Sequence, residues 1–327
     1  MPPSLEPRRR FVLDSPTGAA LTVRARNPDT APEAVVLVFH GLAEHSARYD
    51  RLMGELGTLG FATYAHDHRG HGSTTAQDAP LRRFGSRNGL RKVVRDCQAV
   101  RELAQREHPG LPLFVLGHSM GGAIALHYAR RFAGGLSGCL VWNAGLRFGW
   151  QERLGVASLR VEKMLKGSDV ASQAFARATT DAWAKRIANR RTDVDWLSHD
   201  PDVVDAYIAD PLCGWTPTVS LAQDIVQLAR ENANHEALSQ IPHDLPIHCF
   251  GGSQDLATQC GAEVVRLAER LREAGSREVE CEIVQGARHE TLNEIEPYRG
   301  QAMRALESFL RRHLDRVPAA APAVEPD

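Results

Sequence analysis

A mostly parallel α/β sheet with helices on both faces is predicted by three observations. Ala34-Val35-Val36-Leu37-Val38-Phe39 is an unbroken apolar run, the pattern of a strand buried on both faces. Similar short runs then alternate with helical stretches, and that alternation implies right-handed crossovers between parallel strands. The chain has 327 residues, 43% of them hydrophobic, enough for one large core and an inserted subdomain.

The elements can be justified in order. Three prolines fall within the first eight positions, so residues 1–10 are expected to be disordered, with Arg8-Arg9-Arg10 a solvated edge of the first strand. Phe11–Leu13 and Leu21–Arg24 flank Ser15-Pro16-Thr17-Gly18 and read as a β-hairpin. After the run at 34–39, a helix over 46–59 leads to a strand at 61–65. A helix over 89–107 leads to a strand at 113–116, and a helix over 120–132 leads to one at 136–142.

The rhythm then breaks. Residues 146–240 contain no strong strand, and Leu154, Val161 and Leu165 fall on one helical face, as do Leu221, Ile225 and Leu228. The stretch reads as a helical cap. Strand 246–250, helix 260–273, strand 279–284 and helix 297–314 resume the pattern. About eight strands are expected, with a core formed by 11–145 and 241–316. The Pro/Ala-rich residues 317–327 read as a flexible tail.

Composition excludes some functions. The formal net charge is −1, and no basic face of the kind that binds nucleic acid is evident. No stretch of about 18 apolar residues is present, and no apolar segment follows the N-terminal arginines. The six cysteines form no Cys-x-x-Cys pair and several sit in apolar runs, so buried free thiols in a reducing compartment are expected. A soluble cytoplasmic protein is the expectation.

Leu116-Gly117-His118-Ser119-Met120-Gly121-Gly122 joins a buried strand to a helix. The pattern G-x-S-x-G in that context is a nucleophile elbow, in which a tight turn lifts the serine oxygen above the sheet. Gly117 and Gly121 remove side chains that would clash there. The following helix aims free N–H groups at the oxyanion of acyl transfer.

A serine hydroxyl needs a base, and the base needs an orienting acid. The order Ser, acid, His is that of the α/β-hydrolase fold. Asp255, in Gly251-Gly252-Ser253-Gln254-Asp255, follows one late strand; His289, in Gly286-Ala287-Arg288-His289, follows the last. All three then lie beyond the C-terminal ends of strands, where open α/β sheets form sites. Asp244 precedes its strand, and Glu290 and Glu294 follow the histidine too closely to hold its far nitrogen. Met120 N–H and Leu42 N–H are the expected oxyanion donors. Gly41 lets the backbone approach the substrate, His40 braces that loop, and His118 lines the site.

His66-Asp67-His68-Arg69-Gly70-His71 resembles a metal cluster, but its spacing is not that of metallo-hydrolases and no cysteine partner is expected nearby. It reads as a polar turn in which Asp67 and Arg69 pin neighbouring loops. Neither a metal nor a cofactor is expected.

His40-Gly41-Leu42-Ala43-Glu44-His45, Asp67-His68-Arg69-Gly70-His71-Gly72, the elbow, and Arg288-His289-Glu290-Thr291-Leu292-Asn293-Glu294 together resemble the monoacylglycerol lipase and lysophospholipase group of α/β-hydrolases, which is serine aminopeptidase S33-like. Tyr207-Ile208-Ala209-Asp210-Pro211-Leu212 is similar to the end of that group's cap. The resemblance covers about Phe11 to Leu314. It implies a cap over an acyl pocket, cleavage of single-acyl-chain lipid esters, triad roles for Ser119, Asp255 and His289, and oxyanion roles for Leu42 and Met120. The chain departs from the group where Asp255-Leu256-Ala257-Thr258 replaces Asp-Pro-Val, and residues 145–193 match nothing in it.

Other readings stay open. Asp202, Asp205 and Asp210 could hold a substrate amine in a serine aminopeptidase, and an acyltransferase differs only in its acceptor. A ligand sensor on a dead hydrolase is the non-enzymatic alternative. Residues 147–191 carry ten Lys/Arg against four Asp/Glu, while 192–240 carry one against nine. The basic half could meet anionic lipid headgroups; the plainer expectation is that the two halves pair or face water. Membrane contact is thus transient at most.

Overall fold

The computed structural model describes residues 8–145 and 150–315. The expected flexible segments at 1–7 and 317–327 lie outside these described residues, as does the start of the cap at 146–149.

Among the described residues, nine strands form one sheet: β1 (Arg8–Asp14), β2 (Ala19–Arg26), β3 (Ala34–Phe39), β4 (Phe61–His66), β5 (Thr75–Ala76), β6 (Leu113–His118), β7 (Gly138–Trp142), β8 (Ile247–Gly252) and β9 (Val279–Val284). Their order is β1-β2-β4-β3-β6-β7-β8-β9, with two-residue β5 paired to β2. β1 and β2 run antiparallel and the strands from β4 to β9 along that path are parallel. The helices are α1 (Asp50–Thr58), α2 (Gly89–Glu107), α3 (Met120–Phe132), α4 (Trp150–Lys166), α5 (Gln173–Ala178), α6 (Thr180–Arg186), α7 (Pro201–Ala209), α8 (Val219–Asn232), α9 (His235–Leu238), α10 (Ala262–Glu273) and α11 (Tyr298–Arg312).

β3 shows why a continuous apolar run was required. Val35, Leu37 and Phe39 pack into one core cluster, and Ala34, Val36 and Val38 into another. The first cluster takes the inner faces of α2, α3, α8 and α10; the second takes those of α1 and α11. Both faces of the sheet are covered, so alternate side chains are all apolar.

Three expectations need correction. Arg8–Arg10 are not disordered: they pair in register with Arg24–Arg26, and Arg8 and Arg9 form ion pairs with Asp50 and Glu107. Carboxylates on α1 and α2 supply partners that local sequence does not reveal. The face of α4 that carries Leu154, Val161 and Leu165 points outward, and among its described side chains Leu159 and Glu162 are the buried ones. Finally, α8 was grouped with the cap but packs on the core. Leu221 and Leu228 join the α2–α3 cluster, and Asn232 Nδ2 donates to Ala123 O on α3 at 2.8 Å.

Candidate active site

The elbow is built as its glycines demand. Ser119 sits between β6 and α3 with φ 55° and ψ −119°, a backbone state L-residues rarely adopt. A Cβ at Gly117 would lie 2.1 Å from Gly121 O, and one at Gly121 would lie 2.1 Å from Phe39 O. Only hydrogen fits at either position, which lets α3 start directly over the end of the sheet. Met120 is the first residue of that helix, so its amide has no partner within the helix. Gly41 stands across from it: a Cβ there would lie 3.3 Å from Ser119 Cβ. Leu42 and Gly41 line the same cavity as Ser119.

His289 and Asp255 come to this point from the ends of β9 and β8. His289 Nε2 is 2.9 Å from Ser119 Oγ, and its Nδ1 is 2.9 Å from Asp255 Oδ1. Both His289 and Asp255 are buried. Burial alone would raise the Asp255 carboxyl. The charge and hydrogen bond of His289, with a hydrogen bond from Asn143, outweigh it and hold the group below the usual carboxylate range. Ala257 N also donates to Asp255 Oδ1 at 3.0 Å. The structure thus brings together the three residues named from their strand ends.

The supporting residues behave as the loop geometry asks. His40 Nδ1 donates to Gly41 O at 2.7 Å and its Nε2 accepts from His68 N at 2.9 Å. One donor and one acceptor describe a neutral imidazole, and burial lowers the His40 pKa accordingly. His118 lines the cavity, with Nε2 3.0 Å from His289 O. Burial opposes its charged form. The Glu44 carboxylate, 3.5 Å from His118 Nδ1, together with Glu290 reverses this and raises its pKa. Asp67 and Arg69 do pin loops: Asp67 accepts from Ser46 and Ser73, and Arg69 donates to Asp96 and to Phe84 O.

Sequence reading missed several partners. Asn143 Nδ2 donates to Asp255 Oδ2 at 3.2 Å, and Thr291 Oγ1 donates to Asn143 Oδ1 at 2.9 Å. Asn143 directly follows β7, so the strand-end rule that found Asp255 could have found it. Glu44, Arg48 and Glu290 form a buried network. Arg48 donates to both Glu290 oxygens at 2.5 and 2.6 Å and to Glu44, while Glu44 accepts from Gly41 N. Glu290 therefore anchors the loop beside His289, and Glu294 pairs with His199.

Above the site is a cavity of about 460 Å³. Phe175, Trp183, Trp196, Tyr207 and Trp215 give it an aromatic wall, and Leu42 adds an aliphatic side chain. The cap loop carrying Trp196 is tied to the histidine loop: Leu197 O accepts from Glu290 N at 2.7 Å, and the Trp196 ring lies tilted against that of His289, centroids 5.2 Å apart. Asp202, Asp205 and Asp210 do not line this cavity; Asp205 pairs with Arg191 and Asp210 with His45. Asp181 and Asp193 line it instead, and Asp193 is paired with Arg190.

The family model described as "Serine aminopeptidase, S33" matches residues 30–296. This chain belongs to that family. Among S33 relatives, a monoacylglycerol lipase of Mycolicibacterium smegmatis is 31% identical over 85% of this chain and 89% of its own length. A monoglyceride lipase of Mus musculus is 27% identical over 93% of this chain and 91% of its own. Among solved structures, a thermostable carboxyl esterase from Bacillus coagulans superposes with a TM-score of 0.85 at 27% identity, covering 94% of this chain and 99% of that one. The S33 chain described here has the α/β-hydrolase fold and is a carboxylic-ester hydrolase.

Proposed function

We propose that this chain cleaves lipid esters with a single acyl chain, of the monoacylglycerol or lysophospholipid kind, through an acyl-enzyme on Ser119. The observation that carries this reading is the hydrogen-bond line from Ser119 through His289 to Asp255 at the foot of an aromatic-walled cavity. Ser119 Oγ attacks the ester carbonyl while His289 Nε2 takes its proton. Met120 N–H and Leu42 N–H receive the oxyanion. His289 then protonates the leaving alcohol, and water, deprotonated by His289, releases the fatty acid. Asp255 keeps His289 in the tautomer that leaves Nε2 free to accept. The aromatic wall suits an acyl chain and excludes water from the acyl-enzyme.

An aminopeptidase reading draws on the carboxylates that line the cavity, of which Glu44 and Glu290 are held by Arg48 and Asp181 and Asp193 remain. Asp193 is already neutralised by Arg190, which leaves one carboxylate where an α-amine would be held. The ester reading is the stronger.

The natural substrate sits in a lipid surface, and we assign the outward face of α4 to transient contact with it. Met164 and Leu165 are 86% and 77% exposed, with Arg160 and Lys166 at the flanks. The described residues contain no helix long and apolar enough to cross a membrane. All six cysteines are free, four of them buried, which supports a reducing compartment and hence the cytoplasm.

A fluorophosphonate probe and a substrate panel test the proposal. Wild type should label and Ser119→Ala should not; equal labelling of both would sink the nucleophile assignment. The panel sets p-nitrophenyl esters of rising chain length beside monoacylglycerol, lysophosphatidylcholine and an aminoacyl-anilide. Cleavage of the anilide alone would overturn the lipid-ester reading.

A further inference from the structure

One cluster of reactive side chains takes no part in the chemistry above. β4 ends at His66, the next turn carries His68, and α2 passes beneath with Cys97. His66 and His68 are two residues apart, and Cys97, against the sequence expectation of no cysteine partner, joins them inside the core; the three are 1%, 0% and 0% exposed. Cys97 Sγ lies 3.9 Å from His66 Nε2. One donor atom from each of the three residues can be chosen so that all lie within 4.8 Å of one another.

Their hydrogen bonding is incomplete. Neither ring nitrogen of His68 makes a well-formed hydrogen bond, the His40 backbone being the polar group that interacts with that ring, and Nδ1 of His66 has no partner. A neutral imidazole always presents one N–H and one lone pair. Leaving such groups unmet in the core is costly, so they call for an explanation. Protonation is not one. Burial drives the His66 pKa down to about 3 and that of His68 well below its ordinary value. In the same layer His40 braces the oxyanion loop, and His71 Nδ1 donates to Arg69 O at 3.2 Å while its Nε2, also without a hydrogen bond, lies beside the Trp215 ring, with no cysteine at hand.

We propose that His66, His68 and Cys97 form a buried site for a soft monovalent cation, Cu(I). The donor set is two imidazoles and one thiol, which suits a soft or borderline metal rather than Mg²⁺ or Ca²⁺. Charge decides between Cu(I) and Zn(II). On binding, Cys97 loses its thiol proton to solvent, and Cu(I) with one thiolate is neutral. Zn(II) with one thiolate leaves a net positive charge in the core, where an unpaired charge is costly. Zn(II) also prefers four ligands, and this cluster supplies three. Bonds of about 2.0–2.3 Å place trigonal ligand atoms about 3.5–3.7 Å apart. The Cys97–His66 separation is already close to that, and the His68 donor atom, within 4.8 Å of the other two, closes the remaining gap by a side-chain torsion.

The site bears on the reaction only indirectly. The His68 amide donates to His40 Nε2, whose other nitrogen holds Gly41 O. A metal that fixed His68 would steady the loop carrying the Leu42 amide, so these residues are positioning groups.

The test uses the Cys260→Ser background, because Cys260 is the exposed thiol and would bind copper adventitiously. Protein is produced with copper in the medium, purified without oxygen and dialysed against a Cu(I) chelator. About one copper per chain should remain, with X-ray absorption showing one sulfur and two nitrogens around it. Adding Cys97→Val should remove it while the melting curve of the metal-free protein stays cooperative. If the valine variant does not fold, Cys97→Ala serves the same purpose. Copper-free protein, equal copper in the Cys97 variant, or tight Zn(II) retention in place of copper would each overturn the proposal.

Discussion

At the scale of single residues, Asn143 is where a testable contribution can be isolated. It holds Asp255 Oδ2 and is itself held by Thr291, so it links the acid to the loop of His289. Its φ is 51°, in the left-handed region. Asn143→Gly removes the side chain and tolerates that backbone. We expect kcat on a short p-nitrophenyl ester to fall about tenfold, about 1.4 kcal/mol of transition-state stabilisation, with KM little changed. The variant should also shift the acid limit. A carboxyl whose folded pKa is depressed contributes stability above its unfolded pKa and loses it as pH falls through the folded value. Removing the Asn143 donor moves the Asp255 value upward, so acid unfolding should begin at higher pH. Unchanged kcat with an unchanged acid limb would show that Asn143 does neither job. Ser119, Asp255 and His289 were legible in sequence because each follows a strand. Asn143 obeys the same rule, but one amide after a strand carries no motif. Glu44 and Glu290 each stand inside a quoted motif, yet Arg48, which joins them, belongs to neither, and only folding shows the pairing.

At the scale of elements, two contacts decide how much change the core tolerates. The first is where α3 meets β3. Phe39 is paired in register with Gly117, and a Cβ at Gly121 would lie 2.1 Å from Phe39 O. The obstacle is sheet backbone, which cannot rotate aside as a side chain can. Gly121→Ala should therefore cost more than the about 1–3 kcal/mol of ordinary overpacking, read as a fall in the urea midpoint; an unaltered midpoint would contradict the close approach. The second contact is α8 against α2. Burial pushes the Asp224 carboxyl up to about 6, against the pull of Arg83 and Lys163. A raised carboxyl pKa means that the folded chain keeps a proton the unfolded chain releases, so stability declines as pH rises from the unfolded value toward 6. Asp224→Asn should stabilise the protein at pH 8 by at most about 3 kcal/mol, with no gain at pH 3. Equal effects at both pH values would remove the charge from the explanation. α2, α3 and β9 matched their sequence-derived limits because the apolar period and the flanking breaks agreed. α8 shows the same helical period, but period alone does not say whether its apolar face meets the core or the cap.

At the scale of the whole molecule, the core and the cap were unequally legible for a physical reason. A doubly covered parallel sheet demands apolar residues on both faces of each strand, and β3, β4, β6 and β7 are buried at every position. The cap obeys no such demand. Its small cluster of Ala184, Trp196, Leu197, Tyr207 and Cys213 closes on Leu256, the residue after Asp255, so the changed sequence after the acid is used to seat the cap. The periodic face of α4 has no such partner: Leu154, Val161, Met164 and Leu165 are all more than half exposed. A large apolar patch left in water is unfavourable for a free monomer and marks a contact surface. The cations at its flanks favour an anionic lipid surface over a neutral one. Met164→Glu with Leu165→Glu removes apolar area and adds repulsion, and it lies outside the cavity. Binding to vesicles containing phosphatidylserine should fall at least about tenfold, since the lost burial alone is worth about 1.5–3 kcal/mol per side chain. Hydrolysis of monoacylglycerol presented in those vesicles should fall with it, while turnover of a water-soluble p-nitrophenyl ester stays as in wild type. Loss of both activities would place α4 in the machinery of the site, and loss of neither would leave its apolar face without the lipid contact assigned to it.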